Sequence, residues 1–187
     1  MRLSSLKTPA GKRSGRAVSK AGAKVVIVDR QDRPVGLKNY EAIRYEDIYR
    51  VTALWLTDSK SGETLIAQRA RTKHNDPGKW AFAVAGTIEE GDTYEGNIIQ
   101  ETAEEIGLTG IEFRSGPKEF VDDGAHKFFC QWFTAEVHKD TVQITMQEDE
   151  VDAVRWLPVG DLISDCKAHP DKYVPSILPS LKLLGVS

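Results

Sequence analysis

Apolar residues along this chain fall into short runs rich in β-branched and aromatic side chains, and polar stretches bearing glycine or proline divide them. Residues 24–29 (KVVIVD) form the first run, and a polar turn at 31–34 leads into a return that starts at Val35 and Gly36. Residues 37–46 keep no clean period and read as a loop with a helical turn. Residues 49–57 (YRVTALWLT) have the content of a buried strand, and a turn at 58–62 returns the chain to a pairing strand at 64–69. A basic, breaker-rich loop follows, in which Asp76, Pro77 and Gly78 read as a tight turn. Residues 80–85 (WAFAVA) then read as one strand that delivers the chain to Gly86.

Between Gly86 and Leu108 the period changes. Thr93 is placed to cap a helix and Gly107 to stop it in a left-handed cap. At roughly 100° per residue, Glu101, Glu104 and Glu105 share one face. Ile99, Thr102, Ala103 and Ile106 fall on the other side, with Ile98 at the border. Further strands are predicted at 111–114, 118–121, 127–137, 141–144 and 152–157, and helices at 160–167 and 176–184. Strands outnumber helices and do not alternate with them, so a mixed sheet flanked by helices is expected.

Composition adds little to this until charge is considered. A chain of 187 residues with 40% hydrophobic and 28% charged side chains suits one globular domain with a sizeable core. No apolar run approaches the roughly 20 residues of a membrane span. Cys130 and Cys166 give neither a disulfide framework nor a paired-ligand spacing, so reduced thiols and a cytoplasmic setting are expected. The formal charge is −3, yet residues 1–28 hold seven Lys or Arg and no acid, leaving −10 on the remainder. Residues 1–20 read as a flexible basic arm and 21–187 as a single domain. The arm lacks the apolar stretch of a secretory signal, and neither membrane nor nucleic acid is the expected partner.

Three carboxylates on one helical face repel one another, and a hard divalent cation is the obvious compensation. A solvated acidic face is the ordinary meaning of such a cluster, so the flanks decide. Gly86 is followed after five residues by Asp92, then by Glu101, the pair Glu104 and Glu105, and finally Gly107 and Leu108. This spacing resembles the Nudix box, whose usual form is Gly, five residues, Glu, seven residues, then Arg-Glu-aliphatic-any-Glu-Glu-any-Gly-aliphatic. Asp92, Gln100 and Thr102 depart from it, standing where the family has Glu, Arg and an aliphatic residue.

The resemblance implies an α/β (α+β) fold, a Nudix-type α/β/α sandwich with a mixed β-sheet. It also implies hydrolysis of a pyrophosphate bond in a nucleoside diphosphate-linked or related small molecule, with Mg²⁺ or Mn²⁺ as cofactor, and allows a homodimer. On this likeness the metal ligands are Gly86, through its carbonyl, with Glu101, Glu104 and Glu105. Glu104 or Glu105 is then expected to help deprotonate water, or a glutamate outside the box does so, with Glu148 and Glu150 as candidates. Ahead of the box Arg69, Arg71, Lys73, His74 and Lys79 are the candidate phosphate contacts, Arg69 first because it ends a strand leading to the box. Asp92 and Gln100 are expected to replace the family's ion pair by a charge–amide hydrogen bond.

The order of runs over 24–160 is similar to the Nudix branch related to isopentenyl-diphosphate isomerase. That raises isomerisation of an allylic diphosphate, which in that branch needs a cysteine before the box. No cysteine precedes Cys130. A third reading is a Nudix-fold binding module, against which stands the retention of all three glutamates. The group beyond the diphosphate is expected to meet the loops around 37–48 and 122–126.

Overall fold

The computed structural model describes residues 24–186, so the expected basic arm lies outside the described residues. The fold is organised on one long strand, β3 (Ile48–Asp58), whose side chains are largely buried on both faces. Along its whole length β3 pairs in parallel with β8 (Lys127–Val137). Three strands share its other edge in turn. These are β1 (Lys24–Val28) at Ile48 and Tyr49, β6 (Val84–Thr87) from Val51 to Leu54, and β4 (Thr64–Arg69) at Thr57. β2 (Pro34–Asn39) extends the sheet beyond β1, and β7 (Arg114–Asp122) extends it beyond β8. β4 leaves this array and pairs instead with β9 (Val151–Leu157) and β5 (Trp80–Phe82).

Alternation along β3 sends Ala53 and Trp55 to one layer and Leu54 and Leu56 to the other. The second layer is covered by α1 (Tyr94–Glu105), through Ile98, with Ile106 and Leu108 just past its end. The first is covered by α2 (Val159–Ala168) and α3 (Ile177–Leu183), through Leu162, Cys166, Ile177 and Leu181. Phe82 and Trp132 meet edge to face there at 4.5 Å. Helices on both faces of a mixed sheet are the α/β/α layering that was expected.

Four local expectations are corrected. The turn at 58–62 forms, held by Ser61 and Lys139 amides on the Asp58 carboxylate, yet β3 and β4 share the single pair Thr57–Thr64. The reason is that β6 already occupies that edge of β3. Residues 80–85 are two strands, broken at Ala83, because the segment crosses from β4 to β3. The return that starts at Val35 and Gly36 is a strand as expected but runs on to Asn39, where a loop was expected from 37, and only 40–42 form a helical turn. Residues 141–144 form no strand, since the amides just beyond them serve the end of α1: Thr145 N donates to Ile106 O at 3.0 Å and Gln147 N to Glu105 O at 3.0 Å.

Candidate active site

The helix that carries the carboxylates is fixed at both ends. Thr93 caps its start, with Oγ1 accepting from the Gly96 amide at 3.0 Å. Gly107 ends it with φ of 72°, and a Cβ there would lie 2.8 Å from the Thr145 Cβ, so glycine answers both the backbone conformation and the close approach. Tyr94, the first residue of α1, joins a cluster centred on Asp32. The Asp32 carboxylate accepts from Arg50 Nε at 2.7 Å, Lys118 Nζ at 2.6 Å and the Tyr94 hydroxyl at 3.3 Å. The Asp32 carbonyl takes Arg50 Nη2 at 2.6 Å, and Lys118 Nζ stands 4.4 Å over the Tyr94 ring. Burial works to raise the Asp32 pKa, but hydrogen bonds from Lys118 and Arg50 overcome it and hold the carboxyl below its ordinary value.

The buried face of α1 is turned from the one the helical wheel suggested. Ile98 is fully buried while Ile99 is 55% exposed, and Asn97, Glu101 and Thr102 are inside with Ile98. Gly86 on β6 explains the turn. A Cβ at residue 86 would sit 2.3 Å from Glu101 Cγ and 2.5 Å from its Cδ and Oε1, so the missing side chain is the space that Glu101 fills. Asn97 lines this joint. Its Oδ1 accepts from the Thr52 hydroxyl at 2.5 Å, and its Nδ2 donates to Thr87 O at 3.2 Å and to Glu101 Oε1 at 3.4 Å. The sequence reading missed Asn97; an asparagine beside Ile98, one turn before Glu101, was the available signal.

The other carboxylates are more open. Glu104 is exposed and accepts at Oε1 from Gln100 Nε2 at 3.0 Å. Gln100 therefore faces Glu104 one turn on, and the expected hydrogen bond between Gln100 and Asp92 is not the one it makes. Glu105 is half-buried and lines a cleft of about 790 Å³ together with Gly86 and Glu150. Among the described residues no three acidic, imidazole or thiol side chains converge on one point. The donors present suit a hard ion all the same: oxygen ligands only, one of them a carboxylate packed on the Gly86 backbone.

The cations divide. Arg69, Lys73 and His74 line the cleft; Arg71 is exposed and Lys79 pairs with Asp76 at 2.7 Å, and neither of these two lines it. Arg69 is aimed by its Nε, which donates to Asn75 O at 3.0 Å. Glu150 lines the cleft wall in an ion pair with Lys73, whereas Glu148 is exposed and outside the lining. Tyr40, Tyr49, His126 and the Val174–Ser176 stretch complete the walls, so both loops expected to meet the substrate reach this cleft. The last of these was invisible in the sequence, since its place depends on the Val174 amide donating to Trp80 O at 3.0 Å. Cys130 lies in the floor, where burial pushes its thiol far above the ordinary range and keeps it protonated.

Comparison with known proteins identifies the family. An uncharacterised Nudix hydrolase of Pseudomonas aeruginosa is 26% identical over 159 residues, covering 85% of this chain and 91% of its own. An isopentenyl-diphosphate Delta-isomerase of Klebsiella pneumoniae is 25% identical over 83% of this chain and 86% of its own. A prenyl-diphosphate phosphatase of Methanosarcina mazei is 26% identical over 80% of this chain and 88% of its own. Among solved structures, a Deinococcus radiodurans protein shares the fold with a TM-score of 0.74 at 19% identity, over 86% of this chain and 98% of its own. The family model of the NUDIX domain matches residues 48–177, well over half of the sequence, and the chain belongs to the Nudix family.

Proposed function

We propose that this chain is a divalent-metal-dependent hydrolase that cleaves the pyrophosphate bond of a small diphosphate or nucleoside diphosphate-linked substrate. The observation that carries the reading is the packing of Glu101 against Gly86, beside a cleft that also holds Glu105, Glu150 and Arg69. Mg²⁺ or Mn²⁺, held by the Gly86 carbonyl, Glu101, Glu104 and Glu105, would neutralise phosphoryl oxygens and acidify water. Arg69 offers a planar fork to a phosphate, and its bond to Asn75 O lowers the cost of orienting it. Glu150 is the proton acceptor of this reading, because it stands in the cleft wall and Glu148 does not. The expected assembly is two copies of the chain in a cytoplasmic setting, which light scattering and localisation of a tagged chain check.

The competing reading is double-bond migration, favoured by the isomerase relative. A thiol held protonated, as Cys130 is, makes a poor base, and this supports hydrolysis. A panel of nucleoside di- and triphosphates, nucleotide sugars, and isopentenyl and longer prenyl diphosphates, each with Mg²⁺ or Mn²⁺, separates the two. Phosphate or pyrophosphate-bond cleavage is expected on at least one member. Migration alone, or binding without turnover across the panel, would overturn the proposal.

A further inference from the structure

The loop before β9 is stitched to two different parts of the cleft. Thr145 and Gln147 fasten it to the end of α1, as described above. On its far side Ala70 N donates to Glu150 O at 2.9 Å, the Thr72 hydroxyl donates to Asp149 O at 3.3 Å, and Lys73 Nζ pairs with Glu150 Oε2. The Glu150 backbone is thus held independently of its side chain. The ion pair itself is half-buried at the cleft wall, with Lys73 28% and Glu150 21% exposed, so part of each group still meets the cleft. Arg69 and Lys73 are the Lys and Arg side chains that line the cleft among the described residues, and Arg69 Nε is already bound to a carbonyl.

We infer that Lys73 is a positioning residue that latches Glu150 in the substrate-free protein and releases it when a diphosphate enters; the inference rests on the hydrolytic reading above. An ammonium is a point charge with three rotatable donors, so its partner is exchangeable in a way that a bidentate arginine pair is not. A diphosphate brings more negative charge than one carboxylate and more oxygens for the three ammonium donors than the single Glu150 Oε2 that Lys73 now meets. Exchange therefore runs toward the phosphate oxygen. The Ala70 amide keeps the Glu150 backbone in place, so the carboxylate changes its counterion without leaving the cleft. It then takes a proton from the attacking water as that oxygen bonds to phosphorus. The bond from phosphorus to the bridging oxygen breaks, and the departing phosphate keeps the electron pair. The latch keeps the base occupied until there is a substrate to attack.

The sign of one binding change tests this. Methylenediphosphonate, a diphosphate analogue whose bridging carbon prevents cleavage, is titrated calorimetrically into the full chain with Mg²⁺ present. If Glu150 competes with the ligand for Lys73, Glu150→Gln binds about three- to tenfold tighter than the wild type. That gain vanishes in the Lys73→Met background, whereas Lys73→Arg, whose guanidinium can pair bidentately with Glu150 and exchanges less readily, binds the diphosphonate more weakly than the wild type. A pair that merely ties two loops together predicts the opposite sign, weaker or unchanged binding in Glu150→Gln, and that result would sink the latch while leaving the hydrolytic reading in place. Failure of the wild type to bind the diphosphonate at all would remove both. In turnover, Lys73→Met raises KM with little change in kcat, while Glu150→Gln lowers kcat; a kcat loss of equal size in both variants also counts against the latch.

Discussion

Two polar clusters flank the box helix, and the fold treats them in opposite ways. At its N-terminal end Asp32 is saturated, with a guanidinium, an ammonium and a phenol on its carboxylate and a second guanidinium contact on its carbonyl. At the C-terminal end Glu104 is exposed with one amide partner, and Glu150 across the cleft has one exchangeable cation. A saturated cluster has no capacity left for a ligand and acts as a fastening. An under-satisfied one holds charge ready for something that arrives from solution. The two predict different phenotypes when broken, stability loss at one end and activity loss at the other.

The joint between Gly86 and Glu101 belongs to both categories and should give the largest effect. Gly86→Ala places a methyl inside the Glu101 side chain, so it costs about 1–3 kcal/mol in urea unfolding and also lowers turnover at least about a hundredfold. Loss of stability with full activity would show that Glu101 is only a packing residue. Glu104→Gln divides the same effects: turnover falls at least about a hundredfold on the panel substrate while the urea midpoint stays within error. A mutant that turns over at the native rate would remove Glu104 from the site.

Asp32→Asn is the converse. It leaves Arg50 and Lys118 facing a neutral amide, and about 1–3 kcal/mol of stability goes with the carboxylate. Turnover at saturating substrate falls less than about tenfold, because no cleft residue changes. The pH dependence follows from the lowered folded pKa. The stabilisation is present above the unfolded carboxylate value of about 4 and is lost as pH falls through the lower folded value. Comparing urea midpoints at pH 7 and pH 3, the gap should be smaller in Asp32→Asn than in the wild type. An unchanged gap would mean the cluster is not the fastening it is taken for.

Gln100→Ala sharpens the comparison at its weakest contact. The amide bridges one helical turn to an exposed carboxylate, so stability changes by less than about 0.5 kcal/mol and the half-saturating Mn²⁺ concentration by about twofold. A much larger metal effect would mean that Gln100 sets the position of Glu104.

What was legible in the sequence is what local chemistry determines. Thr93 and Gly107 bound the helix because caps act within a few residues, and the runs at 24–29 and 127–137 became β1 and β8 because composition alone marks a buried strand. The helical phase was misread because Ile98 and Ile99 are equivalent until Gly86, twelve residues earlier, makes room for Glu101. The break at Ala83 carries no glycine or proline, since what breaks the strand is a change of partner and not a turn. β2 is exposed on both faces, so it has no alternation to detect. The Asp32 cluster joins residues 18, 62 and 86 positions apart, a separation at which no periodic signal survives.

The parallel seam between β3 and β8 also bears on how the chain is made. Its register sets Ile48 opposite Lys127, so the central strand leaves the ribosome 79 residues before its longest partner. At translation speeds of about 5–20 residues per second, that edge waits roughly 4–16 s with an open row of amides. Closing so distant a pair also costs chain entropy before any contact repays it, which makes folding slow relative to a helical protein of this size. The nascent chain is therefore most exposed to aggregation and to chaperone capture while β8 is still unmade.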